Sequence, residues 1–249
     1  MRICCAKARQ TGMIDYPNRE QYTADDLVRI IAILRDPENG CPWDKVQTHA
    51  SIRMNFLEEA YEAVDAIDLN DPGLLCEELG DVLMQVAFHA CIEEQAGRFT
   101  WGQVCDGVCR KLIGRHPHIF GADSGQQGIM DWDSLKNKEK GRKTLTDDLD
   151  SVPRAMPALM RAAKLQKRAA RHDAAPPPVD AGAITALAKT LADAPPQSDA
   201  AERAAGRLLF AAVELARRAG VDPEQALQKE NDAFCQGAPL TSESKFAFG

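Results

Sequence analysis

Apolar residues recur along this chain at three- and four-residue steps, the period of a helix with one buried face. Thr23 is placed to cap a first helix that runs to about Leu34, with Asp25 and Asp26 in its opening turn. Asp36-Pro-Glu-Asn-Gly40 is a turn cluster. Ile52, Phe56, Ala60, Ala63 and Ile67 then predict the buried face of a long helix from about Thr48 to Leu69, ended by Asn70-Asp-Pro-Gly73. Asp71 caps the next helix with Pro72 at its first position, and Gly97 stops it after about Ala96. Its apolar stripe is Leu75, Leu79, Val82, Val86 and Ala90. Thr100 caps a further helix to about Gly114, after which His116-Pro-His-Ile-Phe-Gly121 breaks the pattern. A glycine-rich loop and a short charged helix near Asp131–Arg142 follow. From about Val152-Pro153 the pattern resumes, with helices near 157–171, 180–193, 199–219 and 223–234 and Pro176-Pro-Pro178 as a rigid connector. Alternating β-branched positions are missing throughout, so the expected class is all-α and bundle-like.

One segment recurs. Glu77-Glu-Leu-Gly-Asp-Val-Leu-Met-Gln-Val-Ala87 shares its apolar positions and central glycine with Arg203-Ala-Ala-Gly-Arg-Leu-Leu-Phe-Ala-Ala-Val213. The acids are not shared: Glu77, Glu78 and Asp81 meet Arg203, Ala204 and Arg207. This predicts tandem helical modules, the second degenerate, which kept its packing and lost its charges. The expected organisation is a flexible leader over 1–22, a catalytic module over 23–145, a degenerate module over 150–236 and an irregular tail over 237–249. Met13 is an alternative start to Met1.

A formal net charge of -7 argues against a nucleic-acid polymer as partner, because a phosphate backbone needs a basic surface. It leaves room for a small phosphate ligand held through a divalent cation. The eight cysteines form no C-x-x-C pair, no apolar run of membrane-spanning length exists, and Met1 to Gln10 lacks the apolar core of a signal peptide. A reducing cytoplasm and no membrane are the expectation.

The chemistry sits in two acidic pairs. Glu59 and Glu62, then Glu78 and Asp81, are each three residues apart, which puts both members on one face of a helix. A helical hairpin joins the segments, so four carboxylates can converge. Four such anions stay ionised together only with cations among them, and hard oxygen donors in that number suit Mg²⁺ or Mn²⁺. The bland reading is a solvated acidic face, but basic i+4 partners are missing: Ala63, Ala66, Val82 and Gln85 stand there.

Three further residues are candidates for holding substrate. Lys111 and Arg115 lie four apart on one helix face and suit phosphate oxygens, or are ordinary surface bases. Trp43, in the turn before the carboxylate helix, either stacks on a nucleobase or plugs the core. His116 and His118 read as loop residues, and His49 and His89 as helix-packing or supporting residues, since hard-metal carboxylate sites rarely use imidazole.

Glu-x-x-Glu, fifteen residues, then Glu-x-x-Asp resembles the signature of the all-α NTP pyrophosphohydrolases. Cys41-Pro-Trp-Asp-Lys45, Leu57-Glu-Glu-Ala-Tyr-Glu62, Glu77-Glu-Leu-Gly-Asp81, Gly97-Arg-Phe99, Arg115-His-Pro-His-Ile-Phe120 and the run from Val152 to Arg168 resemble the MazG family, over roughly residues 24–235. The resemblance implies hydrolysis of nucleoside triphosphates to monophosphate and pyrophosphate with Mg²⁺, tandem modules and a homodimer. It implies Glu59, Glu62, Glu78 and Asp81 as metal ligands and Lys111 and Arg115 as phosphate-facing bases. Glu59 or Glu62 would orient or deprotonate the attacking water. Two departures bear on this. Gly114 stands where relatives often have a second arginine. Ala188-Lys-Thr-Leu-Ala192 and Arg203 to Arg207 replace the acidic pairs of the second module, and Phe234-Cys-Gln-Gly237 lacks the family's downstream basic cluster. Activity is therefore expected in the N-terminal module. The alternative is a non-catalytic nucleotide sensor or dimerisation protein. Nothing in the sequence fixes base choice.

Overall fold

Polar caps set most helix starts in this chain. The computed structural model describes residues 15–121, 144–172, 174 and 179–237, all helix, turn or loop with no strand among them. The described residues fall into two compact units, one containing residues 15–121 and the other residues 144–237.

In the first unit, α1 (Ala24–Leu34) opens on a capping box in which Thr23 and Asp26 satisfy each other's orphan donors. After it the chain turns sharply at Gly40, where a Cβ would lie 2.5 Å from the carbonyl oxygens of Leu34 and Asp36, so only glycine fits. A single 3₁₀ turn covers Asp44–Val46. Helix α2 (Arg53–Asp68) pairs with α3 (Pro72–Gln95) as an antiparallel hairpin. Asn70 takes the left-handed conformation (φ 53°) at the link, and the Asp71 carboxylate accepts from the Gly73 and Leu74 amides at 2.9 and 3.0 Å. Gly97 (φ 68°) ends the segment, and a second capping box of Thr100 and Gln103 opens α4 (Trp101–Arg115), followed by the short α5 (Pro117–Phe120).

The core of this unit is Ile31, Ile52, Ala87, Phe88 and Cys91, with Leu27, Val28, Met84, Ile92 and Trp101 packed around it. Buried Arg35 joins three elements. Its guanidinium donates to Gln95 Oε1 at 3.0 and 3.1 Å and to the backbone carbonyls of Asp44 and Gln47, and it lies 4.9 Å from the Phe88 ring centroid. The loop carrying Trp43 is thereby anchored to both α1 and α3.

The second unit contains α6 (Leu145–Asp150), α7 (Ala158–Arg171), α8 (Ala181–Ala192), α9 (Asp199–Arg218) and α10 (Pro223–Gly237). Helix α9 packs on α7 and α8. Val152, Asp148, Gln166, Ala204, Ala211 and Val213 are buried there. Arg168 binds the Asp148 carbonyl and Ser151 Oγ, and Gln166 donates to the Phe210 carbonyl at 2.8 Å.

Several expectations need correction. Helix α2 starts at Arg53 rather than Thr48, because Thr48 and Ser51 bond each other's amides and form a separate turn. Its buried residues are the small Ala63 and Ala66, which let α3 approach closely, while Ile67 is 58% exposed. On α3 the expected stripe holds in part: Ala90 is buried and Leu75, Val82 and Val86 are half-buried, whereas Leu79 is exposed and Gln85, Ala87, Phe88 and Cys91 are buried beside it. Pro117–Phe120 is a short helix where only a break was expected, and α6 precedes the expected resumption at Val152. The helix expected near 131–142, the glycine-rich loop before it, the Pro176-Pro-Pro178 connector and the leader up to residue 14 lie outside the described residues.

The two members of the repeat sit in α3 and α9, and their burial agrees in register. Gln85, Ala87 and Phe88 are buried on α3, and the corresponding Ala211, Val213 and Glu214 are buried on α9.

Candidate active site

The hairpin decides which acids meet. One carboxylate oxygen from each of Glu59, Glu78 and Asp81 lies within 4.8 Å of the others. Glu59 comes from the middle of α2, and Glu78 and Asp81 come from the second and third turns of α3. Ala63 and Ala66, one turn beyond Glu59 and Glu62, are the buried residues of α2, which pairs with α3. Glu62 is exposed and stands outside this trio, near enough to repel both Glu59 and Glu78.

The electrostatics follow from that crowding. The Glu59 carboxyl is pushed above the usual range, first by burial and then by the charge of Asp81, with Glu62 and Glu78 adding to it. A hydrogen bond from Gln85 Nε2 at 3.5 Å works the other way. Glu78 is raised by burial and then by Glu62, Glu77 and Asp81. Among the described residues no lysine or arginine forms an ion pair with any of the four acids. A cluster of oxygen donors that repel one another and have no basic neighbour fits a hard divalent cation, and its chemistry does not suit a soft one.

The expected substrate contacts are distributed differently. Trp43 is 57% exposed, so it is no core plug, and its carbonyl accepts from Gln47 Nε2 at 2.9 Å. Lys111 is exposed on α4, whereas Arg115, at the end of the same helix, is only 8% exposed. Neither Trp43 nor Lys111 is in hydrogen-bonding or ion-pair contact with the acids. His116 Nδ1 lies 2.7 Å from the Leu112 carbonyl, and its ring sits 5.6 Å from that of His118.

Sequence reasoning missed Gln85, whose Nε2 donates to Glu59 and whose i+4 place after Asp81 reads only as the lack of a base. It expected His49 and His89 as packing or supporting residues, and the structure joins them to Glu93 and Arg98, which it did not single out, in one polar chain. Arg98 binds Glu93 through two nitrogens, Glu93 binds His49 Nε2, and His49 Nδ1 lies 2.7 Å from His89 Nδ1, with the two rings stacked at 4.9 Å. It fixes the turn before α2 to the end of α3. Glu93 is held at about 2 by the Arg98 guanidinium first and by His49 next. Burial lowers His89, and the neighbouring His49 adds to this.

Residues 47–120 match the family model of the MazG nucleotide pyrophosphohydrolase domain, a stretch that spans the acids, α3 and α4. The chain is also 42% identical over 219 residues to the nucleoside triphosphate pyrophosphohydrolase of Escherichia coli strain K12, covering 84% of this chain and 83% of that protein. This chain belongs to the MazG family. A second MazG protein, the nucleoside triphosphate pyrophosphohydrolase/pyrophosphatase MazG of Thermotoga maritima, is 39% identical over 214 residues, 85% of this chain and 82% of its own length. The nucleoside triphosphate pyrophosphohydrolase of Mycobacterium tuberculosis is 37% identical over 161 residues, 63% of this chain and 48% of the relative. The MazG model thus matches the unit that keeps the acids, and the matches to the Escherichia coli and Thermotoga maritima relatives cover enough of the chain to reach into the second unit.

Proposed function

We propose that this chain hydrolyses nucleoside triphosphates to the monophosphate and pyrophosphate at Glu59, Glu62, Glu78 and Asp81, with Mg²⁺ as the ion and Mn²⁺ able to replace it. The observation that carries this is the convergence of Glu59, Glu78 and Asp81 oxygens with no base to neutralise them. Bound there, the ion would neutralise charge on the phosphate chain and on the departing pyrophosphate. The oxygen of water attacks the α-phosphorus, the bond to the oxygen bridging to the β-phosphorus breaks, and pyrophosphate leaves. The proton passes to a carboxylate oxygen of Glu59 or Glu62. Gln85 orients Glu59 from behind. Exposed Lys111 is available to phosphate oxygens and exposed Trp43 to the base, with Arg115 a covered base at the far end of α4.

Glu62→Gln and Asp81→Asn are each expected to lower Mg²⁺-dependent pyrophosphate release at least ~100-fold, the scale of a lost charge-stabilising group. Chelation should abolish the activity and Mg²⁺ or Mn²⁺ restore it. Full activity in either variant overturns the site. The rival reading, a nucleotide sensor without turnover, draws on the loss of acids from the second unit. Triphosphate binding without product in the same assay would favour it.

The partner is proposed to be a second copy. On α2, Tyr61, Val64 and Ile67 are 55, 50 and 58% exposed, and on α3 Leu79 and Leu83 are 53 and 38% exposed. Apolar side chains repeated along two neighbouring helices suit a bundle completed by another subunit. No helix of the described residues is long and apolar enough to cross a membrane. The six described cysteines are free, which suits the reducing cytoplasm as the proposed location.

A further inference from the structure

Asp81, Gln85, His89 and Glu93 follow one another at four-residue steps along a single ridge of α3. The other side of the hairpin meets them in order. Glu59 accepts from Gln85, the Phe56 ring stands edge-on to His89 with centroids 5.8 Å apart, and His49 reaches both His89 and Glu93. The acids and the two histidines therefore lie along one seam. We infer that His49 and His89 are positioning residues for the reaction: through one shared proton they fasten the turn that presents Trp43 to the ridge that carries Asp81, and a second proton releases it. The inference rests on the proposed roles of the acids and of Trp43, and adds a control of substrate affinity that those roles do not contain.

Proton accounting is the first argument. Glu93 is held at about 2, so its carboxylate only accepts and His49 Nε2 carries the hydrogen between them. The two Nδ1 atoms are 2.7 Å apart, so one donates and the other accepts. With the pair neutral, His89 donates from Nδ1 to His49. After one proton is gained, His49 is an imidazolium beside Glu93 and donates from Nδ1 to His89, whose own hydrogen sits on Nε2. Both states keep the contact. A second proton sets N–H against N–H and puts like charges on rings stacked at 4.9 Å, so the pair opens. Burial and then His49 lower His89 from its ordinary 6.5, so the second proton arrives below that value. Among the described residues the two rings bond only to each other and to Glu93. Helix α2 faces His89 with uncharged Phe56, Arg35 after α1 is engaged by Gln95 and two carbonyls, and Asp106 and Arg110 of α4 pair with each other. The charges that bear on the pair are thus Glu93 and, behind it, Arg98.

Connection is the second argument. The turn from Trp43 to Ser51 is one bonded unit: Gln47 Nε2 donates to the Trp43 carbonyl, Ser51 Oγ donates to Gln47 Oε1 at 2.7 Å, and Thr48 and Ser51 hold each other's amides. Two ties join this unit to α3. One runs through Arg35 to Gln95 and stays charged at any working pH. The other is His49, whose side chain is 43% exposed and open to protons from solvent. Trp43 is itself exposed, so its place is set by the turn more than by the core.

The test is steady-state pyrophosphate release by the full chain with Mg²⁺. At about pH 8 the pair is intact. There His89→Leu should raise KM about three- to tenfold, the scale of one lost hydrogen bond, with kcat within about twofold of the wild type. His89→Asn should restore KM, because its amide stands in the place of ring Nδ1 and turns either a donor or an acceptor to His49. As the pH falls to about 5, the KM of the wild type should rise by a similar factor beyond any rise in His89→Asn, which takes up no proton at that position. Substrate and acids titrate alike in both proteins, so the difference belongs to the pair. NMR of the histidine imidazoles, independent of turnover, should show one proton shared between two ring nitrogens and absent from His49→Ala. Three results overturn the proposal: a fall in kcat at unchanged KM in His89→Leu, parallel pH profiles of the wild type and His89→Asn, or no shared proton. If His89→Leu does not fold, the comparison of the wild type with His89→Asn decides. A wild type that shares the proton but has no turnover fails the hydrolytic reading instead, and the positioning role falls with it.

Discussion

Glu78 shows how a residue can weaken the fold that carries it. Burial and the charges of Glu62, Glu77 and Asp81 raise its carboxyl, so the folded chain holds that proton more firmly than the unfolded one. For a raised acid, stability is greatest at low pH and falls as pH rises through the folded value. In EDTA, Glu78→Gln is therefore expected to melt above the wild type at pH 7, with the gap closing toward the ordinary carboxylate range, and to be inactive. A lower melting temperature at pH 7 would remove the argument. Glu93 behaves oppositely. Held at about 2 by Arg98 and His49, against an ordinary 4.5, it contributes stability above 4.5 that is lost as pH falls toward 2. Glu93→Gln should lower the melting temperature at neutral pH and approach the wild type near pH 2, readable by thermal melts across that window.

At the scale of elements, the caps were legible in the sequence because each is a local contact. Thr23, Asp71 and Thr100 all cap as expected. Asp71 has a second role, since the helix it starts carries Glu78 and Asp81 in its second and third turns. Asp71→Ala should cost about 1 kcal/mol, typical of a lost N-cap, and also weaken Mg²⁺ binding measured calorimetrically. Unaltered metal affinity at lowered stability would show that the start of α3 does not position the acids. The start of α2 was misread because Thr48 and Ser51 turn the chain with their own side chains, an alternative to helix that periodicity does not register. Helix α6 was missed because six residues are too few to show a period.

At the scale of the whole molecule, the matched segments differ in charge: α3 carries the half-buried acids Glu78 and Asp81, and α9 the exposed Arg203 and Arg207. The apolar residues left open on α2 and α3 lead to a further expectation. Leu79→Asp with Leu83→Asp should convert a dimer to a monomer, measured by light scattering. A wild type that is monomeric at micromolar concentration would dismiss the second copy as partner.

By itself, the sequence determined the class, most helix limits and which acids share a helix face, because period, caps and i+3 spacing are local properties of a chain. The resemblance to MazG was also readable there, since ordered motifs survive without coordinates. Only the tertiary structure decided that Glu59, Glu78 and Asp81 form the close trio while Glu62 stands outside it. That depends on how α2 is rotated about its axis against α3, and the burial of Ala63 and Ala66 marks the side of α2 turned inward. The same holds for Arg115 and Trp43, one covered and one open. Charge type is written in the sequence, but the face on which a side chain ends depends on what packs beside it.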